Sequence, residues 1–180
     1  SERLQLTIRR GGNVYQIDYS YGDKIGDLKV VGSCGRRNTG TSLRFWPNSE
    51  FFDSVRFSTN KLRHVLRAKA VLCDGLTVSF KDQASKESVL WYYENGLKDY
   101  LATALREFET LPMTPFVGAF GEPSGAVDWA VQWVPDGGEL VQESYVNLIP
   151  TPHGGTHVNV LRLGRLEALR DFCEIRNSVS

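Results

Sequence analysis

The chain reads as an α+β protein, and three observations carry that reading. Two runs of apolar–polar alternation flank Gly11-Gly12. The stretches 59–72 and 156–176 repeat apolar residues at three- and four-residue spacing. Val127, Trp129, Val131 and Trp133 alternate strictly along a strand.

Leu4 to Ile8 and Val14 to Tyr19 are predicted to form a hairpin across Gly11-Gly12, because two glycines between alternating runs suit a tight turn. Leu28 to Val31 is expected as a short third strand. Gly32 to Gly40 is expected as a loop carrying Arg36 and Arg37, and Thr41 to Trp46 as a fourth strand stopped by Pro47. These strands have no covering helix and cannot bury a face alone, so they are expected to belong to a larger α+β domain.

A connector, Asn48 to Phe57, offers Phe51, Phe52 and Phe57 as packing anchors. Ser58 or Thr59 can cap a helix to about Leu72, with Leu62, Val65 and Leu66 on its buried side. The rest of that helix holds Lys61, Arg63, His64, Arg67 and Lys69 and no acid, so its surface suits either solvent or phosphate.

Leu76 to Phe80 and Val89 to Tyr93 are expected as a second hairpin. A helix follows from Asn95 or Gly96 to about Phe108, turning Leu97, Tyr100, Leu101, Ala104 and Leu105 inward. Leu111 to Pro115 reads as a proline-bounded linker and Phe116 to Phe120 as a strand. The Trp129–Trp133 strand is expected to put both indoles in the core, then turn at Asp136-Gly-Gly138 into a strand from Leu140 to Ile149. Pro150 and Pro152 end that strand. Gly154-Gly155 turns the chain, and Thr156 can cap a helix to about Arg176, whose Leu163, Leu166, Leu169 or Arg170, and Cys173 form an apolar stripe. A glycine turn before a helix N-terminus can hold an anion, and it can equally be a plain corner.

Composition sets bounds without naming a function. The 180 residues are 41% hydrophobic and 23% charged, enough for one good domain or two small pieces of larger ones. The apolar runs are far short of the ~18 residues a membrane helix needs. Ser1 to Arg10 has no signal-peptide pattern. Cys34, Cys73 and Cys173 lack metal spacing, which points to reduced thiols in a cytoplasmic protein. Residues 1–75 carry 13 Lys and Arg against 7 Asp and Glu, whereas residues 76–180 carry 8 against 14. The basic front half can meet phosphates, or the two halves can simply be solvated.

No G-x-S-x-G or G-x-x-x-x-G-K-[ST] occurs, and His64, His153 and His157 are too separated for a zinc cluster. His157 can meet an anion or a neighbouring loop, and Asp128 can be a buried acid or an edge-facing charge. From the residues alone, no catalytic constellation stands out.

Several stretches taken together carry a resemblance. They are Gly40-Thr-Ser-Leu-Arg-Phe-Trp-Pro47, His64-Val-Leu-Arg-Ala-Lys-Ala-Val-Leu-Cys73, Val127-Asp-Trp-Ala130, Gly137-Gly-Glu-Leu140, Glu143-Ser-Tyr-Val-Asn-Leu-Ile-Pro150 and Gly154-Gly-Thr-His-Val-Asn159. In unbroken order to about Asn177, the chain resembles the ATPase subunit of bacterial type IIA DNA topoisomerases. Its wording is closer to the topoisomerase IV branch than to the gyrase branch.

The resemblance implies that residues 1–47 are the last strands of a GHKL-type ATP-binding domain. Residues 48–180 would be most of a transducer domain similar to ribosomal protein S5 domain 2. The implied parent uses ATP and Mg²⁺, acts on DNA with the A subunit of topoisomerase IV, pairs with a second copy on ATP binding, and involves no membrane. For this chain alone a monomer is expected. Three residues carry over to the nucleotide and inhibitor pocket: Thr41 as part of adenine recognition, Leu43 as its apolar wall, and Arg10 at its mouth. Without the resemblance, Thr41 is a surface strand threonine and Arg10 a solvated hairpin charge.

Lys61, Arg63 and Arg67 are the candidates for DNA or phosphate contact. The family's catalytic Glu, Mg-binding Asn, adenine Asp, glycine phosphate loop and Q-T-K lysine do not occur in these 180 residues, which are therefore expected not to hydrolyse ATP. The competing readings are a gyrase B segment and a non-catalytic S5-like module that binds nucleic acid or protein.

Overall fold

The computed structural model describes residues 1–122, 125–135, 137–138 and 140–177. The chain divides into two compact units, Ser1–Ser58 and Thr59–Ser180.

The first unit is a four-stranded antiparallel sheet. Its strands are β1 (Arg3–Arg10), β2 (Asn13–Ser20), β3 (Asp23–Ser33) and β4 (Gly40–Trp46), in spatial order β3-β2-β1-β4. Gly11 and Gly12 take φ of 63° and 92° in the β1–β2 turn, a left-handed pair that side chains with a Cβ resist. The third strand runs well beyond the expected Leu28 to Val31. It pairs with β2 from Asp23 to Ser33 through two register shifts, which absorb the glycines and charges that hid it from periodicity.

Alternation sorts the sheet into two faces. On one, Asp18 accepts hydrogen bonds from Gln16 Nε2 at 2.9 Å, Gln5 Nε2 at 3.0 Å and Arg3 at 3.4 Å. These bonds, those from Gln16 and Gln5 foremost, hold its carboxyl below the ordinary value. Arg3 and Arg44 both lie over Trp46, about 5 Å from the ring centroid. The other face carries Leu28, Val30, Leu43 and Phe45, all exposed. The connector after Pro47 packs with this unit. Phe57 meets Phe45 edge-on at 5.7 Å, and the buried Asn48 accepts the Glu50 N–H at 2.9 Å.

The second unit begins with α1 (Thr59–Leu72), which packs on β5 (Val78–Asp82) and on α2 (Gly96–Ala104). The buried residues of α1 are Ala68, Ala70 and Val71, whereas Val65 is 39% exposed, contrary to expectation. The contact is concentrated in the last turns, where small residues let the helix approach its neighbours. β5 pairs with β6 (Glu87–Trp91) in a hairpin whose turn is held by Asp82, which accepts Ala84 N–H and Ser85 Oγ–H, both at 2.9 Å.

The second helix, α2, ends at Ala104, before the expected Phe108, and Leu105 to Phe108 continue as a turn. It buries Tyr100 and packs on β7 (Leu111–Glu122) and β8 (Gly125–Trp133). Leu111 to Pro115 is thus strand, not linker. Pro112 and Pro115 bring no N–H to the ladder, and the register shifts between Leu111 and Phe116. The Gln132 amide donates to Thr110 Oγ1 at 2.8 Å and to the Pro112 carbonyl at 2.9 Å, tying the proline segment to β8 where the register shifts. Of the expected tryptophan core, Trp129 is half-buried against Gly118, while Trp133 is 37% exposed with its edge on Phe116. Asp128 is exposed, as an edge-facing charge would be.

The expected strand from Leu140 to Ile149 does not form. Asp136 and Glu139 lie outside the described residues. From Tyr145 the chain makes a two-residue hairpin, β9 (Tyr145–Val146) with β10 (Ile149–Pro150). Asn147 and Leu148 take φ of 49° and 66°, so local turn chemistry overrides the strand propensity of Tyr-Val-Asn-Leu-Ile. Ser144 O accepts the Thr151 N–H at 2.8 Å and closes the turn. After Gly154, at φ 71°, α3 (Thr156–Asn177) starts with Gly155 O accepting Val158 and Asn159 N–H. The apolar residues of α3, including Leu163, Leu166, Leu169, Phe172 and Ile175, are exposed. No described helix is long and apolar enough to cross a membrane.

Candidate functional site

The register of the first sheet brings Arg10, Thr41 and Leu43 to one face. Thr41 lies opposite Ile8, which lies opposite Tyr15, and Leu43 lies opposite Leu6, which lies opposite Ile17. Residues directly across antiparallel strands share a face, and so do residues two apart on one strand. Arg10 is two residues from Ile8 on β1 and closes the row at the Gly11-Gly12 turn. A concavity of about 420 Å³ on this face is lined by Ile8, Arg10, Gly11, Tyr15 and Leu28.

The chemistry of this face is specific. Its floor is aliphatic, with the rings of Tyr15, Tyr19 and Phe45 on the same face. Thr41 offers a hydroxyl that can donate or accept, and Arg10 a guanidinium with several donors. Such a surface suits a flat, acceptor-rich ligand stacked on aliphatic side chains. Leu43 is 58% exposed and makes an apolar wall without an opposite layer.

A second cluster lies in the second unit, and its centre is Glu143. Oε1 of Glu143 accepts the Tyr100 hydroxyl at 2.7 Å and an Arg67 N–H at 3.1 Å, and Oε2 accepts the Tyr145 hydroxyl at 2.6 Å. The Arg67 guanidinium also lies over the Tyr100 ring, 5.0 Å from its centroid, and Tyr93 meets Tyr100 edge-on at 5.9 Å. Burial, followed by the hydrogen bond to Glu143 and its charge, pushes both Tyr100 and Tyr145 far above the ordinary tyrosine value. One helical turn from Arg67, Arg63 pairs with Glu87 at 2.6 Å, and the Lys69 ammonium donates to the Leu148 carbonyl. Tyr100, Glu143 and Tyr145, with Trp129, His157 and Arg165, line an open concavity of about 940 Å³.

The sequence marks Arg63 and Arg67 as basic surface and turns Tyr100 inward, but it assigns no hydrogen-bonding role to Glu143, Tyr100 or Tyr145. The signal was there in part, because an acid-free basic helix in a folded unit draws its counter-charges from other elements. His157 folds its ring over Gly155, where a Cβ would lie 3.0 Å from Nδ1 and Cε1.

Comparison with known proteins gives a consistent family. The family model for DNA gyrase B matches residues 96–180. The chain is 56% identical over 177 residues to the B subunit of DNA topoisomerase 4 from Salmonella typhimurium and, equally, to that from Escherichia coli K12. In each case the match covers 98% of this chain and 28% of the relative. The corresponding Francisella tularensis protein is 42% identical, over 100% of this chain and 28% of its own length.

Among solved structures, the topoisomerase IV ATP-binding domain of Francisella tularensis, in complex with a small-molecule inhibitor, superposes with a TM-score of 0.74 at 39% identity. That match covers 97% of this chain and 46% of that one. The 43K ATPase domain of Thermus thermophilus gyrase B, in complex with an aminocoumarin, superposes with a TM-score of 0.82 at 28% identity, over 98% and 48%. This chain therefore spans 28% of the length of these curated relatives and under half of the solved domains. It belongs to the family of bacterial type IIA DNA topoisomerase ATPase subunits, that of DNA gyrase B and the B subunit of DNA topoisomerase IV.

Proposed function

We propose that this chain serves an ATP-dependent type II DNA topoisomerase of the topoisomerase IV kind, which passes one duplex through another. Within that enzyme, residues 1–47 form the closing strands of a GHKL-type nucleotide domain. Residues 48–180 belong to an S5-like transducer that relays nucleotide state to strand passage. The parent works in the bacterial cytoplasm with ATP and Mg²⁺, with DNA, with the A subunit of topoisomerase IV and with a second copy of itself.

The observation that carries the nucleotide reading is the shared face of Arg10, Thr41 and Leu43. Thr41 gives a directional hydrogen bond to adenine, Leu43 supports the ring, and Arg10 holds the mouth. Identity up to 56% with topoisomerase 4 relatives favours that branch over gyrase. Lys61, Arg63 and Arg67 are the proposed DNA or phosphate contacts. For Arg63 and Arg67 this contact competes with Glu87 and Glu143.

The test is a Thr41→Val substitution in the full-length protein that carries this chain. It removes the hydroxyl and keeps the shape, so nucleotide binding measured by calorimetry is expected to weaken about tenfold, the worth of roughly one hydrogen bond. Unchanged nucleotide affinity would sink the adenine reading. Reconstitution with the DNA-cleaving A subunit decides the branch: decatenation without negative supercoiling marks topoisomerase IV, and supercoiling marks gyrase.

A further inference from the structure

We propose that Arg63 and Arg67 form a masked binding site for the phosphate backbone of DNA, with Glu87 and Glu143 acting as the chain's own stand-ins for two phosphates. The inference rests on the reading of α1 as a DNA-facing helix and adds to it the device that regulates the contact.

Both arginines lie four apart on α1, hence on one side of the helix with Cβ atoms about 5–6 Å apart. Each is held by a carboxylate from a different element: Arg63 by Glu87 on β6 at 2.6 Å, and Arg67 by Glu143, just before β9, at 3.1 Å. Two charges spaced along a helix and met by two separate anions match a ligand with repeating anionic groups better than one with a single charge.

The pairs are built for exchange. The side chains of Arg63 and Arg67 are 37% and 34% exposed, so solvent ions reach both guanidiniums. Each contact uses one nitrogen of a fork that carries five N–H donors, which leaves donors for a phosphate oxygen. Ion pairs this exposed are worth little in stability, so replacing a carboxylate by a phosphate costs little.

The two masks differ in what holds them. Tyr100 and Tyr145 donate to Glu143 and hold it in place when Arg67 leaves. The Tyr100 ring under Arg67 keeps the guanidinium oriented toward an incoming anion. Release of Arg67 from Glu143 also loosens one tie between α1 and the hairpin at Tyr145 to Pro150. A backbone contact on α1 is thereby felt at that hairpin.

The experiment is binding of a short fluorescent DNA duplex to this chain across a salt titration, for the unaltered chain and for Glu87→Gln/Glu143→Gln, with Glu122→Gln as a control for added positive charge. Circular dichroism checks that each variant is folded. Removing the two carboxylates is expected to tighten binding at every salt concentration, because the arginines no longer give up a partner, with the log affinity–log salt slope close to that of the unaltered chain. Arg63→Gln/Arg67→Gln is expected to flatten the slope by about 1.8, the worth of two phosphate contacts.

If the double glutamine variant does not fold, Glu87→Gln alone leaves the Glu143 hydrogen bonds in place and is expected to tighten binding more than Glu122→Gln does. A flattened slope in the arginine variant, with the glutamine variants no different from Glu122→Gln, overturns the mask and leaves the DNA-facing helix standing. No change in the arginine variant overturns both. Inorganic phosphate at the same phosphate concentration is expected to leave the complex intact, and its displacement of the duplex would overturn the commitment to a backbone.

Discussion

The indole of Trp129 occupies the space above Gly118, its partner across the β7–β8 ribbon. A Cβ at residue 118 would lie 2.4 Å from Cε2 and Cζ2 of that ring and 2.6 Å from Nε1. No real Cβ sits so close, and the ring is a rigid body, not the end of a flexible chain. Gly118→Ala therefore has to displace Trp129, and overpacking of this kind costs about 1–3 kcal/mol. Urea unfolding is expected to show that loss, with a shift in tryptophan emission in the folded state. The same substitution at Gly121, where a Cβ meets nothing within 4 Å, is expected to be nearly silent.

The Glu143 carboxylate ties α1, α2 and the β9–β10 hairpin through one group. Hydrogen bonds from neutral hydroxyls to a charged acceptor contribute about 1.5–3 kcal/mol when the alternative leaves the charge unsolvated. A double-mutant cycle between Tyr100→Phe and Glu143→Gln is expected to give a coupling near the lower end of that range, because Glu143 keeps 25% of its side chain exposed. Additive effects of the two substitutions would show that the 2.7 Å contact contributes nothing.

Tyr100 and Tyr145 give the cluster a pH signature. In the folded chain both titrate well above the value near 10 that they have when unfolded. The neutral hydroxyls are favoured by folding, so the unfolded chain loses its protons first as pH rises. The contribution is fully present below pH 10 and is lost as pH climbs from 10 toward the folded values. The unaltered chain is expected to lose melting temperature steeply above that point. Tyr100→Phe/Tyr145→Phe starts lower and falls less. Equal slopes for the two chains above pH 10 would count against the arrangement.

How much of this was legible depended on whether the signal was local. The Gly11-Gly12 hairpin and the helix from Thr59 to Leu72 were written in turn chemistry and periodicity, and both formed where expected. The third strand was hidden because its glycines and charges break alternation, while its pairing partner, β2, supplies the register. The Pro112–Pro115 segment reads as a linker because its prolines lack N–H donors; its pairing comes from β8, where the Gln132 side chain donates to the Pro112 carbonyl, a fact no local pattern carries. The face shared by Arg10 and Thr41 follows from β1–β4 register, which joins residues far apart in sequence. The Glu143 cluster needed tertiary geometry outright, since its members come from 67, 100, 143 and 145.

The apolar face that carries Leu43 makes the last prediction. Leu43, Phe45, Leu28 and Val30 are exposed on the first sheet, and an apolar sheet face of this kind is ordinarily buried against another element. The isolated chain is therefore expected to bind the dye ANS while its circular dichroism remains that of a folded protein. Leu43→Ala in this chain is expected to cost well under the ~1.5–3 kcal/mol of a fully buried leucine, since more than half of the side chain is already in water. In the full-length protein, where the nucleotide domain is proposed to close over this face, the same substitution is expected to approach the full amount and to weaken nucleotide binding with it. Equal small costs in both settings would mean that nothing covers Leu43, and would remove it from the pocket.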